Sequence, residues 1–290
     1  MEFGKFHDKY YKLFLILPAL MLILSFAYLG VFYAQHNDFI HKDISLTGGT
    51  SITLFGSFDM AKLKADLSPQ LEELNLRSIY DVLSQQQKAV ILETVSDSTT
   101  AKDVLEKYLG YTLDEKNSSF EFTGASLSSS FYNQLLIAIL FAFFLMATVV
   151  FILYRDFTPS MAVIISAFAD ILMTLAVVDL VGMNVSTAGI IALLMLIGYS
   201  VDTDILLTSK VLRKSDEPLN HRIFTAFKTG TTMTLTALLA VGAALLVVYA
   251  FSATLTQIFT ILIIGLLLDL LNTWVTNVGI LKWHVEGKQQ

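Results

Sequence analysis

The sequence predicts an α-helical membrane protein, with six transmembrane helices and one extracytoplasmic ferredoxin-like α+β domain of βαββαβ order. Three observations lead there. The 290 residues are 54% hydrophobic and only 15% charged, too apolar for an ordinary soluble chain. Apolar runs recur that are long enough to cross a hydrocarbon layer about 30 Å thick at about 1.5 Å per helical residue. The one long polar stretch, residues 35–130, alternates between strand and helix periodicity.

Composition also excludes. The chain has no Cys, so disulfides, thiolate chemistry and thiolate metal sites are ruled out. Its five His show no zinc-binding spacing, and no phosphate-cradling glycine loop occurs, so neither metal nor cofactor is expected. A formal net charge of −6 argues against a nucleic-acid partner.

The elements follow in order. Residues 13–34 form an apolar run preceded by Lys5, Lys9 and Lys12, with Phe32 and Tyr33 near its end suiting an interfacial belt. A cleaved signal peptide is the alternative, but the run exceeds the usual apolar core of about 7 to 15 residues. Residues 51–55 read as a strand and 60–74 as helix in two pieces, since Ser68-Pro69 offers a cap and a first-turn proline. Strands at 77–83 and 89–95 form a hairpin around Gln85, Gln86 and Gln87. A helix at 102–108 follows the cap-rich Asp97 to Thr100, and 119–123 alternates like a final strand. Before the first strand, Thr47-Gly48-Gly49-Thr50 allows positive φ or close backbone approach, either as a tight entry or as a functional feature.

Five more spans follow, at 135–154, 161–181, 185–207, 231–250 and 256–281. Thr158-Pro159 starts the third span straight after a short Arg155-Asp156 turn. In a six-helix trace Lys5, Lys9, Lys12, Arg155, Lys210, Arg213, Lys214, Arg222, Lys228, Lys282 and Lys288 all fall on one side, so both termini are expected in the cytoplasm. The divisions are then 1–34 (N-terminus and first span), 35–130 (outer domain) and 131–290 (five-helix bundle). The basic stretch from Lys210 to Lys228 is accounted for by topology alone.

Inside the bundle the sequence places costly groups. A charged Asp at a helix centre in the membrane costs about 2.5 to 3.5 kcal/mol, so such residues usually face the interior and mark ion or proton paths. Asp202 and Asp204, two apart, point about 200° away from each other and make no dyad. Asp204 shares a face with Ser200 and Thr208, and Asp202 with Gly198, Tyr199, Ile205 and Leu206. The third span offers Ser166, Asp170 and Thr174, and the sixth Asp269, Asn272, Thr273, Thr276 and Asn277. The fifth begins with Thr229, Thr231, Thr232, Thr234 and Thr236, whose hydroxyls suit helix-to-helix glue, then turns to small residues including Ala240 and Gly242. No Lys or Arg lies within the spans to pair with Asp170, Asp202, Asp204 or Asp269, and Lys228 at the cytoplasmic mouth is the one nearby cation. Acids so placed suit uptake and release of protons. Asp179, near an outer end, is expected to reach water.

Together, the first helix, a ferredoxin-like domain introduced by Thr47-Gly48-Gly49-Thr50, five more helices and Gly198-Tyr199-Ser200-Val201-Asp202 in the fourth resemble the SecF branch of the SecD/SecF family of protein-export membrane proteins. The resemblance implies a SecD-like partner completing a pseudo-twofold bundle of the resistance-nodulation-division superfamily, and association with the Sec translocon channel. It further implies that proton flow moves outer domains that help draw exported polypeptides across, without enzymatic activity. Bacterial members place an aspartate where Thr203 stands here, and their fifth helix has an arginine that Lys228 does not match in position, so archaeal members look closer. Asp202, directly after the motif, is the favoured proton carrier. Two alternatives remain: a half-transporter for a small molecule or lipid, and an intramembrane aspartyl protease using Asp202 and Asp269, which lacks the expected Gly-x-Gly-Asp.

The orientation is testable because the chain has no native Cys. A cysteine placed at Ser98 is expected to react with an impermeant thiol reagent on intact cells stripped of their wall. Labelling only after lysis refutes the assignment.

Overall fold

The computed structural model describes residues 13–81, 84, 86–213, 216–250 and 252–287. Lys5, Lys9, Lys12, Lys214 and Lys288 of the charge count, and Val82, Leu83 and Gln85 of the expected hairpin, lie outside the described residues.

Helix α1 (Ile16–His36) leads through a strap and a single turn, α2 (Ile44–Thr47), into a small sheet domain. There β1 (Gly49–Phe55), α3 (Met60–Leu67), β2 (Asn75–Tyr80), β3 (Gln87–Thr94), α4 (Ser98–Leu109) and β4 (Ser118–Thr123) follow in the order βαββαβ. The sheet runs β2-β3-β1-β4, antiparallel throughout, which is the ferredoxin-like arrangement. Strand alternation turns Ile52, Leu54, Val90 and Leu92 inward against Leu63, Leu67, Ala101 and Leu105, all fully buried or nearly so. Burial of each such side chain contributes about 1.5 to 3 kcal/mol. Asp59 caps α3 and Asp97 caps α4; hydroxyls of Thr100 and Thr99 hold the Asp97 carboxyl well below the usual range.

The expected second helical piece after Ser68-Pro69 does not form. Residues 68–73 are turns, with Glu73 at φ 49°, and Leu71 is a buried plug whose apolar spacing mimicked a helix.

Five helices follow: α5 (Ala125–Tyr154), α6 (Phe157–Leu180), α7 (Thr187–Leu212), α8 (Leu219–Val248) and α9 (Ala253–Leu271), the last continued by a π turn (Asn272–Asn277) and α10 (Val278–Gly287). Among the described residues, six helical stretches, counting α9 to α10 as one, are long and apolar enough to span a membrane. The most buried are α6 and α7, while α5 and α8 lie at the periphery. α6 begins straight after Arg155-Asp156 with Pro159 in its first turn, as expected, but its N-cap is Asp156 rather than Thr158. α8 begins at Leu219, so most of the basic stretch from Lys210 to Lys228 is helix; Arg222 donates to the Val211 and Arg213 carbonyls, closing the end of α7.

The sheet domain joins the bundle through the strap. Gly48 and Gly49 have φ of 85° and 145°, and a Cβ there would sit 2.5 Å from the Ala125 Cα and 2.4 Å from the Thr94 carbonyl oxygen. The motif is therefore required sterically: it lets β1 enter the sheet while touching the start of α5. Thr50 is buried and donates to the Ser96 carbonyl at 2.8 Å, and Thr47 donates to that of Asp43 at 3.3 Å. Asp43 caps α2 and pairs with Arg77 at 2.9 Å, which also reaches Glu93 at 3.2 Å. Burial first, and the Asp43 charge second, push the Glu93 carboxyl up to about 7 against the opposing effects of Arg77 and Asn75.

Two outcomes follow from the strap and its carboxyl. Gly48→Ala is expected to destabilise the protein by about 1 to 3 kcal/mol, read as a lower melting temperature in detergent. Because the folded pKa of Glu93 lies above its unfolded value of 4.5, its protonated form favours folding below pH 4.5, and this contribution is lost as pH rises through about 7. Glu93→Gln is expected to flatten the fall in melting temperature across that window; an unchanged slope refutes the assignment.

Candidate functional site

Helical spacing on α6 and α7 brings two polar faces together inside the bundle. Ser166, Asp170 and Thr174 on α6, and Ser200, Asp204 and Thr208 on α7, are buried essentially completely. Against them stand Asp269 from α9 and Asn272, Thr273 and Asn277 from the π turn, each fully buried, with Thr276 half-buried. π turns are rare and occur often at functional sites.

Every carboxyl is held by neutral donors. Asp170 accepts from Ser200 and, at 2.7 Å, from the Asn272 amide. Asp204 accepts through Oδ1 from Thr273 at 2.9 Å and from Asn277 at 2.7 Å. The Thr273 hydroxyl also lies 3.2 Å from Oδ1 of Asp269. Oδ2 of Asp204, Oδ2 of Asp269 and Oδ1 of Asn277 are buried without a partner. Among the described residues no Lys or Arg pairs with any of the three acids.

A hydroxyl has one proton to donate. Thr273 can satisfy either Asp204 or Asp269 with it, and its second contact is favourable only when the other carboxyl carries a proton and donates. The Thr273 hydroxyl therefore links Asp269 and Asp204 while able to donate to one of them at a time. Three charges in a low-dielectric interior with no counter-ion cost several kcal/mol each.

The sequence placed Asp202 in this layer, and the structure does not. Asp202 is exposed on the opposite face of α7 with Gly198 and Tyr199, the latter 44% exposed, because residues two apart cannot share a helix face. Asp202 and Asp269 are thus not brought together, and the protease dyad has no basis. Lys228 and Thr232 also point outward, Thr232 donating to the Lys228 carbonyl at 2.7 Å. Thr231 is half-buried and Thr234 buried, their hydroxyls unpartnered. Thr276 donates to the Asn272 side-chain oxygen at 3.3 Å, orienting its amide toward Asp170.

Sequence reasoning missed three features. Asp179 does not reach water: it is 2% exposed, accepting from the His41 amide at 3.0 Å, the His41 ring at 2.6 Å and the Tyr28 hydroxyl at 3.1 Å. Lys282, counted as a topology charge, is 1% exposed and donates to Asn220 at 3.2 Å. Gly230 lets α8 lie against Trp274 and Thr203, where a Cβ would come within 2.5 Å of the indole.

Fold and site together define a multi-pass helical membrane protein carrying one ferredoxin-like domain and a cluster of buried acids in its spanning bundle. The profile described as "Protein export membrane protein SecD/SecF, C-terminal" matches residues 103–287. The chain is 38% identical to the protein-export membrane protein SecF of Methanocaldococcus jannaschii, covering 96% of each, and 37% identical to that of Methanothermobacter thermautotrophicus, covering 96% and 94%. It belongs to the SecF family of protein-export membrane proteins, a family of non-enzymatic subunits. Its fold matches the crystal structure of SecDF, a translocon-associated membrane protein, from Thermus thermophilus, with a TM-score of 0.72 at 19% identity. The match covers 96% of this chain and 38% of that one.

The bridging hydroxyl can be removed with little change of shape. Thr273→Val is expected to destabilise the bundle by about 1 to 3 kcal/mol, because buried acceptors lose their donor. Thr273→Ser is expected to melt close to the parent; equal melting of all three refutes the bridging role.

Proposed function

We propose that this chain is the SecF-type subunit of the protein-export machinery, acting with a SecD-like partner at the Sec translocon channel to promote movement of exported polypeptides across the membrane. Asp204, with Asp269 and Asp170, takes up and releases the protons whose flow drives this work. The observation that carries the reading is the sharing of Thr273 between two carboxyls with buried, unpartnered oxygens and no cation at hand. A cluster that served only as glue between helices would satisfy those atoms. With both termini cytoplasmic, the sheet domain stands outside, where it can meet the emerging polypeptide.

The partner's place follows from the outward face of α7 and α8. Asp202 and Tyr199 stand exposed there, Gly198 and Gly242 have open space around them, and Thr232, Thr236 and Ala240 are exposed. A carboxylate facing hydrocarbon is costly, whereas small residues beside it permit a second bundle to approach closely and supply a donor.

The two roles separate by mutation. Asp204→Asn is expected to assemble with the partner at normal abundance but to lose stimulation of export by the proton gradient in membrane vesicles. Asp202→Asn is expected to weaken copurification of the partner. Full gradient stimulation in Asp204→Asn, and equally in the triple variant with Asp170→Asn and Asp269→Asn, refutes the proton role.

A further inference from the structure

Besides the passage of β4 through Gly124 into α5 and the Tyr132 to Asp38 hydrogen bond, the sheet domain is fastened to the bundle at two points that lie on turns of helices carrying the acid cluster. At the first, the strap pairs in parallel with the α6 to α7 turn. The Asp43 amide donates to the Val185 carbonyl at 3.0 Å, the Val185 amide to that of His41 at 2.6 Å, and the Thr187 amide to the Ser45 hydroxyl at 3.1 Å. Asp179, at the end of α6, grips His41 by its backbone and its ring. From Asp43 the connection passes through Arg77 to Glu93, on β2 and β3. At the second point the Tyr80 amide, at the end of β2, donates to the Ala250 carbonyl in the α8 to α9 turn at 2.7 Å.

Helices α6 and α7 bear Asp170 and Asp204, and α9 bears Asp269. A change in how the cluster draws α7 against α9 displaces one outer turn relative to the other. Strand β2 is attached to both, at Arg77 and at Tyr80, so such a displacement tilts the sheet. Room for this exists: a cavity of about 440 Å³ opens between the end of α1, the strap and the sheet, lined by Phe32, His36, Ile44, Glu73, Glu93 and Asn184 among others.

We propose that Asp179 and Arg77, acting through His41 and Asp43, are positioning residues that pass movement of the acid-bearing helices to the sheet domain. Coupling across such a distance is carried by packed side chains and hydrogen-bond networks joined to rigid elements, and here the strap is one such connection. Arg77 suits the role because its planar guanidinium holds two carboxylates in fixed geometry. The inference rests on the proton reading of the cluster.

The chain lacks native Cys, so spin labels at Lys107→Cys on α4 and Leu180→Cys on α6 report the distance between domain and bundle in the full chain in lipid nanodiscs. Asp204→Asn, which fixes that position uncharged, is expected to shift the distance distribution. Adding Arg77→Met or Asp179→Asn is expected to abolish the shift, and Arg77→Lys, which keeps the charge, to restore part of it. Gradient-stimulated export should fall to the level without a gradient in Arg77→Met at normal abundance, a loss that a merely structural ion pair would not produce. A shift that persists in both Arg77→Met and Asp179→Asn overturns the joint and leaves the proton reading standing. So does the absence of any shift when Asp204→Asn still abolishes gradient-driven export. No shift together with intact export in Asp204→Asn overturns both.

Discussion

Three buried carboxyls with no cationic partner among the described residues are the constraint on which the bundle is organised. An uncompensated charge in the interior costs more than most single packing contacts return, so each acid must be surrounded by donors that carry no charge. Ser200 and Asn272 serve Asp170, while Thr273 and Asn277 serve Asp204. The donors are short side chains, which requires helices α6, α7 and α9 to approach closely, and this in turn explains the central burial of α6 and α7. The π turn fits the same need: Asn272, Thr273 and Asn277 all face the acids from one widened stretch of helix.

The helical period then assigns opposite duties to neighbouring residues. Asp204 looks inward because Ser200 and Thr208 share its face, and Asp202 is thereby turned out. On the proposed reading one acid serves proton exchange inside the subunit and the other faces the partner. A single helix can do both because the two positions differ by about 200° in direction.

Much of this was legible from local chemistry. The strand alternation around Ile52 and Leu92, the cap at Asp97, and the polar stripes on α6 and the last span predicted elements the structure contains. What failed did so for identifiable reasons. Leu71 gave helical spacing to a buried turn, and adjacency to a motif drew attention to Asp202 although its face already argued otherwise. Asp179 was assigned to water because its partners, His41 and Tyr28, lie 138 and 151 positions away in sequence, and periodicity carries no information about such contacts. Lys282 was hidden similarly, since a charge that fits a topology rule gives no sign of being buried.

The contrast between the two kinds of contact in this chain has a physical consequence. The sheet domain closes its own apolar core between sheet and helices. Its attachments combine polar contacts at Asp43, Arg77, Val185, Tyr80 and Ala250 with apolar ones, since Ile40 and Leu46 of the strap are buried in the bundle's core. Close-packed apolar interfaces resist small continuous displacements because interlocked side chains must separate before they slide. Hydrogen bonds and ion pairs at the water boundary tolerate changes of a few tenths of an ångström at modest cost, since water can share the exchange. The strap uses both kinds: Ile40 and Leu46 lock it into the bundle, while the polar links at Asp43 and Arg77, with the glycine pair at the entry to β1, join it to the sheet.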